Sequence, residues 1–454
     1  MSSNEGIRLS DHFTYRKLIR FTLPTIVMMI FTSIYGVVDG IFVSNIVGDS
    51  AFAAVNLIMP ALMIPGTIGF MFGTGGSAIV AKTLGEGDTQ RANRYFSMIV
   101  LTEVLLGVLL TVVGLAVLEP VTYLLGADEV LAPYCLEYGR IVFIGLVAFV
   151  LQNSFQSFMV TANKPVFGLV VTLMAGFSNM LLDFLFVYCF GWGVSGAAWA
   201  SVISQCVGAL VPLFYFLGKN QSLLRLVRTG FEWRPLLRAC TNGSSEMVTN
   251  LSFSVVNMMY NHQLMQYLGQ NGITAYGIIM YVGFIFVGIY LGYSFGIAPV
   301  IGYHYGANNR QELQSLLRKS VKLLAAAALV LTIAAELSAR LLAGIFVSYD
   351  ENLLTLTTGA IRLYSLSYLI GWLNIFASSF FTALNDGLSS AVISFSRTFL
   401  FQLSMIFVLP LWLGADGIWA AIIAAEVLSL AVSLFLIIRH RKKYGYGGEM
   451  YVKE

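Results

Sequence analysis

The chain has 454 residues, 57% of them hydrophobic and only 11% charged, with a formal net charge of +3. Soluble domains carry roughly 25% charged residues, so the composition excludes an ordinary water-soluble domain, and no nucleic-acid partner is expected. Four cysteines (Cys135, Cys189, Cys206 and Cys240) lie in or beside apolar segments without a Cys-x-x-Cys pair, and read as small apolar filler rather than metal or redox groups.

Apolar runs of 20 or more residues recur along the whole length, each long enough to cross a roughly 30 Å hydrocarbon core as a helix. The start, through Lys17, is polar and charged, and the run after it is too long for a cleavable signal, so it is expected to serve as both targeting signal and first span. Span 1 (15–46) holds Pro24, Tyr35 and Asp39. Span 2 (51–81) holds Pro60 and Pro65, span 3 (94–118) Glu103, and span 4 (134–160) Gln152 and Asn153. Span 5 (165–190) carries Met174, Phe177, Asn179 and Asp183, and span 6 (194–218) closes the first half. A basic connection, 219–235, leads to span 7 (236–267) with Glu246 and Asn257 and to span 8 (272–303) with Met280, Tyr281 and Pro299. Span 9 (316–342), span 10 (354–384), span 11 (388–412, with Arg397 and Pro410) and span 12 (416–438, with Glu426) follow, then a basic tail, 439–454. The prolines are candidate kinks.

With twelve spans, 22 of the 26 Lys and Arg fall on one side. That asymmetry orients the protein with both termini in the cytoplasm of a multi-pass plasma (inner) membrane protein, and a missed span would scramble it.

The halves match at an offset of 221 residues. Gly73 to Gly85 aligns with Ser294 to Gly306, Gly48 and Ala54 fall on Gly269 and Ala275, and Gly193, Gly196 and Ala200 fall on Gly414, Gly417 and Ala421. Six spans per half is an even number, so the halves run the same way through the membrane and enclose a substrate site between them. The expected organisation is an N-lobe (1–218), a cytoplasmic linker (219–235) with room to let the halves move apart, a C-lobe (236–438) and the tail.

Asp39 and Asp183 are the informative acids. Between Phe21 and Ala81 the only charges are Asp39 and the loop-like Asp49, and between Pro165 and Gly218 there is only Asp183. A carboxylate in hydrocarbon costs about 3 kcal/mol on insertion scales. Both helices run outward, so the two acids share a depth if the helices adjoin. Asn179 sits one turn below Asp183 on the same face. A carboxyl taken out of water holds its proton to higher pH, so such a site titrates near neutrality; the same oxygens equally suit Na⁺. Of the other intramembrane charges, Glu246, Arg397 and Glu426 form a candidate C-lobe polar network. Glu246 and Arg397 lie at similar depth and could pair, as a structural ion pair or a second coupling site.

The chain resembles the MATE (multidrug and toxic compound extrusion) transporters over nearly its whole length. The resemblance rests on Pro24, on Val38-Asp39-Gly40-Ile41-Phe42-Val43, on the Gly-rich end of span 2 running into Gly85-Glu86-Gly87-Asp88, on Gly302-Tyr303-His304-Tyr305-Gly306-Ala307-Asn308, and on Asn179-x-x-x-Asp183. The likeness is closer to the prokaryotic branch with an aspartate pair in the N-lobe. It implies an all-α membrane protein of two six-helix lobes that exports organic cations by antiport against H⁺ or Na⁺, with Asp39, Asn179 and Asp183 as the coupling site. Neither an enzyme nor a cofactor is expected, only transported H⁺ or Na⁺; the partners are drug-like cations and the bilayer, and the chain is expected to be a monomer. Tyr35, Gln152, Asn153, Met174, Phe177, Asn257, Met280 and Tyr281 are candidate cavity residues.

The alternative is a flippase for a lipid-linked substrate, which calls for a basic cavity, whereas the span interiors offer one Arg and no Lys. An intramembrane aspartyl enzyme would need water and substrate between the two carboxylates, and no nucleotide-binding Gly-x-x-x-x-Gly-Lys-Ser/Thr occurs in the chain.

Overall fold

The computed structural model describes residues 7–42 and 46–447, with the side chains of 36–42 and 49 outside that description. Its apolar segments are helical because a backbone in lipid must pair its own polar groups. In the first half these are α1 (Tyr15–Phe42), α2 (Asp49–Gly85), α3 (Thr89–Leu124), α4 (Ala132–Ile144), α5 (Leu146–Thr161), α6 (Pro165–Asp183) and α7 (Gly193–Leu217). The second half has α8 (Trp233–Gly306), α9 (Arg310–Val347), α10 (Glu351–Ser365), α11 (Tyr368–Ala383), α12 (Gly387–Phe395), α13 (Gln402–Val408), α14 (Pro410–Leu413) and α15 (Ala415–Tyr444).

These resolve into twelve spans. α4 and α5 form one span bent by 56°, and α10 and α11 another bent by 48°. α6 continues through a π-helical turn, Phe184–Cys189, and a second such turn, Ser396–Phe401, joins α12 to α13 and α14. α8 has 74 residues, about 110 Å of helix at 1.5 Å per residue, far more than one crossing. It is two spans, divided at Gly269, where φ 62° and ψ −149° break the helix.

The repeat is written into the backbone. Gly48 and Gly269, Gly87 and Asn308, and Gly193 and Gly414 all take positive φ, and the members of each pair stand 221 residues apart. The sharp bends repeat as well, at Gly145 and at Leu366–Ser367. Four of the five candidate prolines lie within helical segments (Pro24, Pro60 and Pro65, and Pro299 in the part of α8 beyond Gly269), while Pro410 opens α14. The bends of more than 40° fall elsewhere, one of them where Gly145 packs directly on Val202 of α7.

The lobes meet along α1, α2 and α8, and the closest approaches lie toward the face that carries both termini. A methyl group on Gly85 would strike the Tyr303 carbonyl, and one on its repeat mate Gly306 would strike the Lys82 carbonyl. Asn385, between α11 and α12, bridges the lobes there, donating to the Ala78 carbonyl at 3.3 Å.

Two non-helical segments fasten the same face. The N-terminal strap, ahead of α1, docks on the other lobe. Phe13 is fully buried, its N–H donates to Glu312 Oε1 of α9 at 2.9 Å, its carbonyl accepts from Lys319, and His12 pairs with the second oxygen of Glu312. Its counterpart, the connection ahead of α8, docks on α3, the repeat mate of α9. There Arg225 N–H donates to Asn93 Oδ1 at 2.8 Å and Val227 N–H to Ser97 Oγ at 2.8 Å. This differs from a slack linker. Backbone N–H groups of the segment find acceptors on α3 instead of water, so part of its length is spent on docking.

Candidate transport site

In the first lobe Asp183 ends the α-helical part of α6, at the point where the helix loosens into its π turn, and its side chain is fully buried. Such turns in membrane helices recur at functional positions. Asn179, one turn earlier, is 2% exposed, and its Oδ1 accepts no hydrogen bond among the described residues. α6 packs on α1: a methyl on Gly176 would strike Phe31 and Tyr35, and the Phe31 and Phe177 rings lie 5.3 Å apart. Asp39 is one turn beyond Tyr35 in α1, and Asp183 two turns beyond Gly176 in α6. Both helices are odd-numbered spans and so run the same way, which puts the two positions within about a turn of each other on neighbouring helices. The side chain of Asp39 lies outside the described residues.

A buried oxygen set of carboxyl and amide groups is chemically able to take a proton or a hard cation such as Na⁺. Glu103 of α3 shares this lobe. It is fully buried, faces Ser154 of α5, and neither of its oxygens closes a hydrogen bond among the described residues.

Between the lobes lies a cleft. One part is lined by Thr25 and Met28 of α1, Thr74 of α2, Asn153 and Ser157 of α5 and Phe295 of α8. The adjoining part shares Thr74, Ser157 and Phe295 and adds Ser379, Thr382 and Glu246. Of the expected cavity residues, Asn153 lines this cleft. Its neighbour Gln152 turns to a separate hollow inside the first lobe, between α5, α6 and α7. Met174 and Phe177 are exposed on α6, beside α1 and Tyr35. Asn257 is half-buried, Tyr281 stacks on Phe346, and Met280 packs on the second lobe's core. The hydroxyls of Thr74, Ser157 and Thr382 were missed by sequence reasoning because Ser and Thr are common in membrane helices and bond their own backbone.

Arg397 takes Glu426, rather than Glu246, as its ion-pair partner. The guanidinium reaches Glu426 through Nη2 at 2.7 Å and through Nε at 2.8 and 3.0 Å. Asn374 donates to Glu426 Oε2 at 2.7 Å and is itself oriented by the Ser433 hydroxyl, also at 2.7 Å. The reason is helix geometry. The π turn that carries Arg397 faces α15, while Glu246 turns to the cleft.

Two six-helix lobes around a shared cleft, with ionisable groups buried inside the spans, define a membrane transporter of the two-lobe, internally repeated kind. The family model described as MatE matches the chain twice, over residues 24–185 and 246–408, and the chain belongs to that family, whose members are transporters and not enzymes. The chain is 21% identical over 444 residues to the multidrug export protein MepA of Staphylococcus haemolyticus (strain JCSC1435), covering 98% of this chain and 97% of that one. Its fold is similar to a crystal structure of MATE in complex with MaL6, with TM-score 0.92 and 20% identity, over 98% of this chain and 100% of the other. It is similar also to the outward-facing conformation of a multidrug resistance MATE family transporter of the MOP superfamily, with TM-score 0.91 and 21% identity over the same shares.

Proposed function

We propose that this protein is a secondary active multidrug exporter of the plasma membrane, with both termini in the cytoplasm, that antiports organic cations against H⁺ or Na⁺ by alternating access. The observation that carries the coupling half of the reading is the buried Asn179–Asp183 pair on α6, beside the helix that bears Asp39. A group of this kind that is charged in one state and neutral in the other can be loaded from one side only when the lobes expose it to that side. One charge moved through 100 mV yields about 2.3 kcal/mol, enough with an ion gradient to bias export.

The substrate half rests on the cleft. Its lining is apolar and hydroxylic, with one carboxylate, Glu246, and no Lys or Arg among the lining residues. That chemistry favours a cationic, partly apolar guest and disfavours the pyrophosphate of a flippase substrate. It agrees with the multidrug export named for the staphylococcal relative. The basic face carrying both termini supports the orientation.

The test is ethidium transport in proteoliposomes under an imposed pH gradient, with and without a Na⁺ gradient. Transport driven by the pH gradient alone and lost in Asp183→Asn establishes H⁺ antiport. A requirement for Na⁺ makes the same residues a sodium site. No transport under either gradient overturns the proposal and returns the flippase reading.

A further inference from the structure

A basic pocket lies on α9, on the basic face and away from the cleft. Arg318 and Lys322 stand one turn apart there, both exposed. Neither forms an ion pair with a described residue, whereas the adjacent Lys319 is engaged by the Phe13 carbonyl. Together with Gln314, Leu317, Val321 and Tyr446 they line a cavity of 270 Å³. Tyr446 forms its rigid wall, since its ring is buried and its hydroxyl is spent on the Ile437 carbonyl at 2.9 Å. The cavity therefore combines two uncompensated cations and an amide with an apolar floor.

Depth identifies the occupant. Lys322 is the last charge on α9 before an uncharged run that extends to Glu336, so it sits where headgroups meet hydrocarbon. Leu329 and Ile333, two and three turns further on, are 55% and 51% exposed and face lipid. A molecule with a phosphate between Arg318 and Lys322 has its acyl chain laid along them. A basic niche at this level is the setting in which anionic headgroups are recognised. The equivalent place in the first lobe lacks these charges: the repeat mate of Arg318 is Ser97, whose hydroxyl is taken by the Val227 N–H, and the mate of Lys322 is Leu101, exposed to lipid.

We propose that this cavity binds one anionic phospholipid through its phosphate. The lipid bridges α9 and Tyr446, and so fastens the segment that follows α15 to α9.

The experiment uses the full chain, delipidated in detergent, and reads the thermal midpoint on adding phosphatidylglycerol, phosphatidylcholine or inorganic phosphate, with retained lipid counted by native mass spectrometry. The variants are Arg318→Gln with Lys322→Gln and, as a charge-matched control on the same face, Arg228→Gln with Arg234→Gln. The expected result is a rise in midpoint with phosphatidylglycerol alone. That rise falls at least fivefold in the Arg318/Lys322 pair and persists in the control, and the pair retains one lipid fewer. Equal responses in both variants reduce the effect to general surface charge and overturn the proposal, as does a midpoint rise reproduced by inorganic phosphate or by phosphatidylcholine.

Discussion

In the second lobe the buried carboxylate of Glu426 meets a guanidinium, a carboxamide and, through it, a hydroxyl, so its oxygens are matched. The first lobe is built on the same six-span plan and buries Asp183, Asn179 and Glu103 just as deeply. Yet the sequence from Pro165 to Gly218 contains no Lys or Arg, and Glu103 faces the Ser154 hydroxyl without closing a hydrogen bond among the described residues. A charge closed in an ion pair has one state, whereas a carboxyl with an adaptable partner set has two, and only the second can carry an ion. On the function proposed above, one scaffold copied twice carries a fixed polar core in one copy and the ion-coupling one in the other.

The comparison breaks most sharply by exchanging the two kinds of mutation. Asp183→Asn is expected to abolish gradient-driven ethidium transport, a loss of tenfold or more, with the thermal midpoint within a few degrees of the parent. Arg397→Met is expected to do the reverse. It should destabilise by about 3–5 kcal/mol, since one partner of a buried pair is left alone, while folded protein still transports. The paired change Arg397→Met with Glu426→Leu should recover most of that stability. Failure to recover would mean that the pair does more than pack.

A smaller effect is expected at the straps. Glu312→Ala removes the acceptor of Phe13 and the partner of His12, and should cost about 1–3 kcal/mol as a buried N–H is left unmatched. Increased hydrogen exchange confined to 7–14 would report it, and Asn93→Ala should do the same for 225–229.

The smallest effect separates the lobes by pH. Asp386, outside the spans, caps α12. Burial works against its charge, but hydrogen bonds from Tyr444 and from Ser389, and the nearby Lys443, outweigh it and hold the carboxyl below its ordinary range. The stability it supplies is therefore complete above the ordinary carboxylate value and is lost as pH falls through the lower folded one. Melting of α15 followed below pH 4 should soften in the parent and be pH-independent in Asp386→Asn, with a difference of about 1–2 kcal/mol for a cap of this kind.

Twelve spans and the repeat were legible because hydropathy, the Lys and Arg bias and glycine spacing all act over long stretches. The positive φ of Gly48 and Gly269 gives those matched glycines their physical cause. The partner of Arg397 was not legible, because it depends on a π turn that shifts helix phase by part of a turn and leaves no mark in composition. The sharp bends escaped for a similar reason. Prolines in lipid are tolerated inside helices, whereas the break at Gly145 falls where a valine from α7 lies against it. Asn179 and Asp183 were legible as isolated polar residues in an apolar run, but the docking of 219–232 on α3 was not, since a basic connection reads as solvated.

The crossed straps have a consequence for ancestry and for engineering. Each half of the chain holds the arm that belongs ahead of the other half's first helix, which is the arrangement of two subunits that exchanged their N-terminal arms before being joined. A polypeptide cut near residue 220 and produced as two pieces should therefore reassemble, because each piece arrives already carrying the clasp that the other lacks.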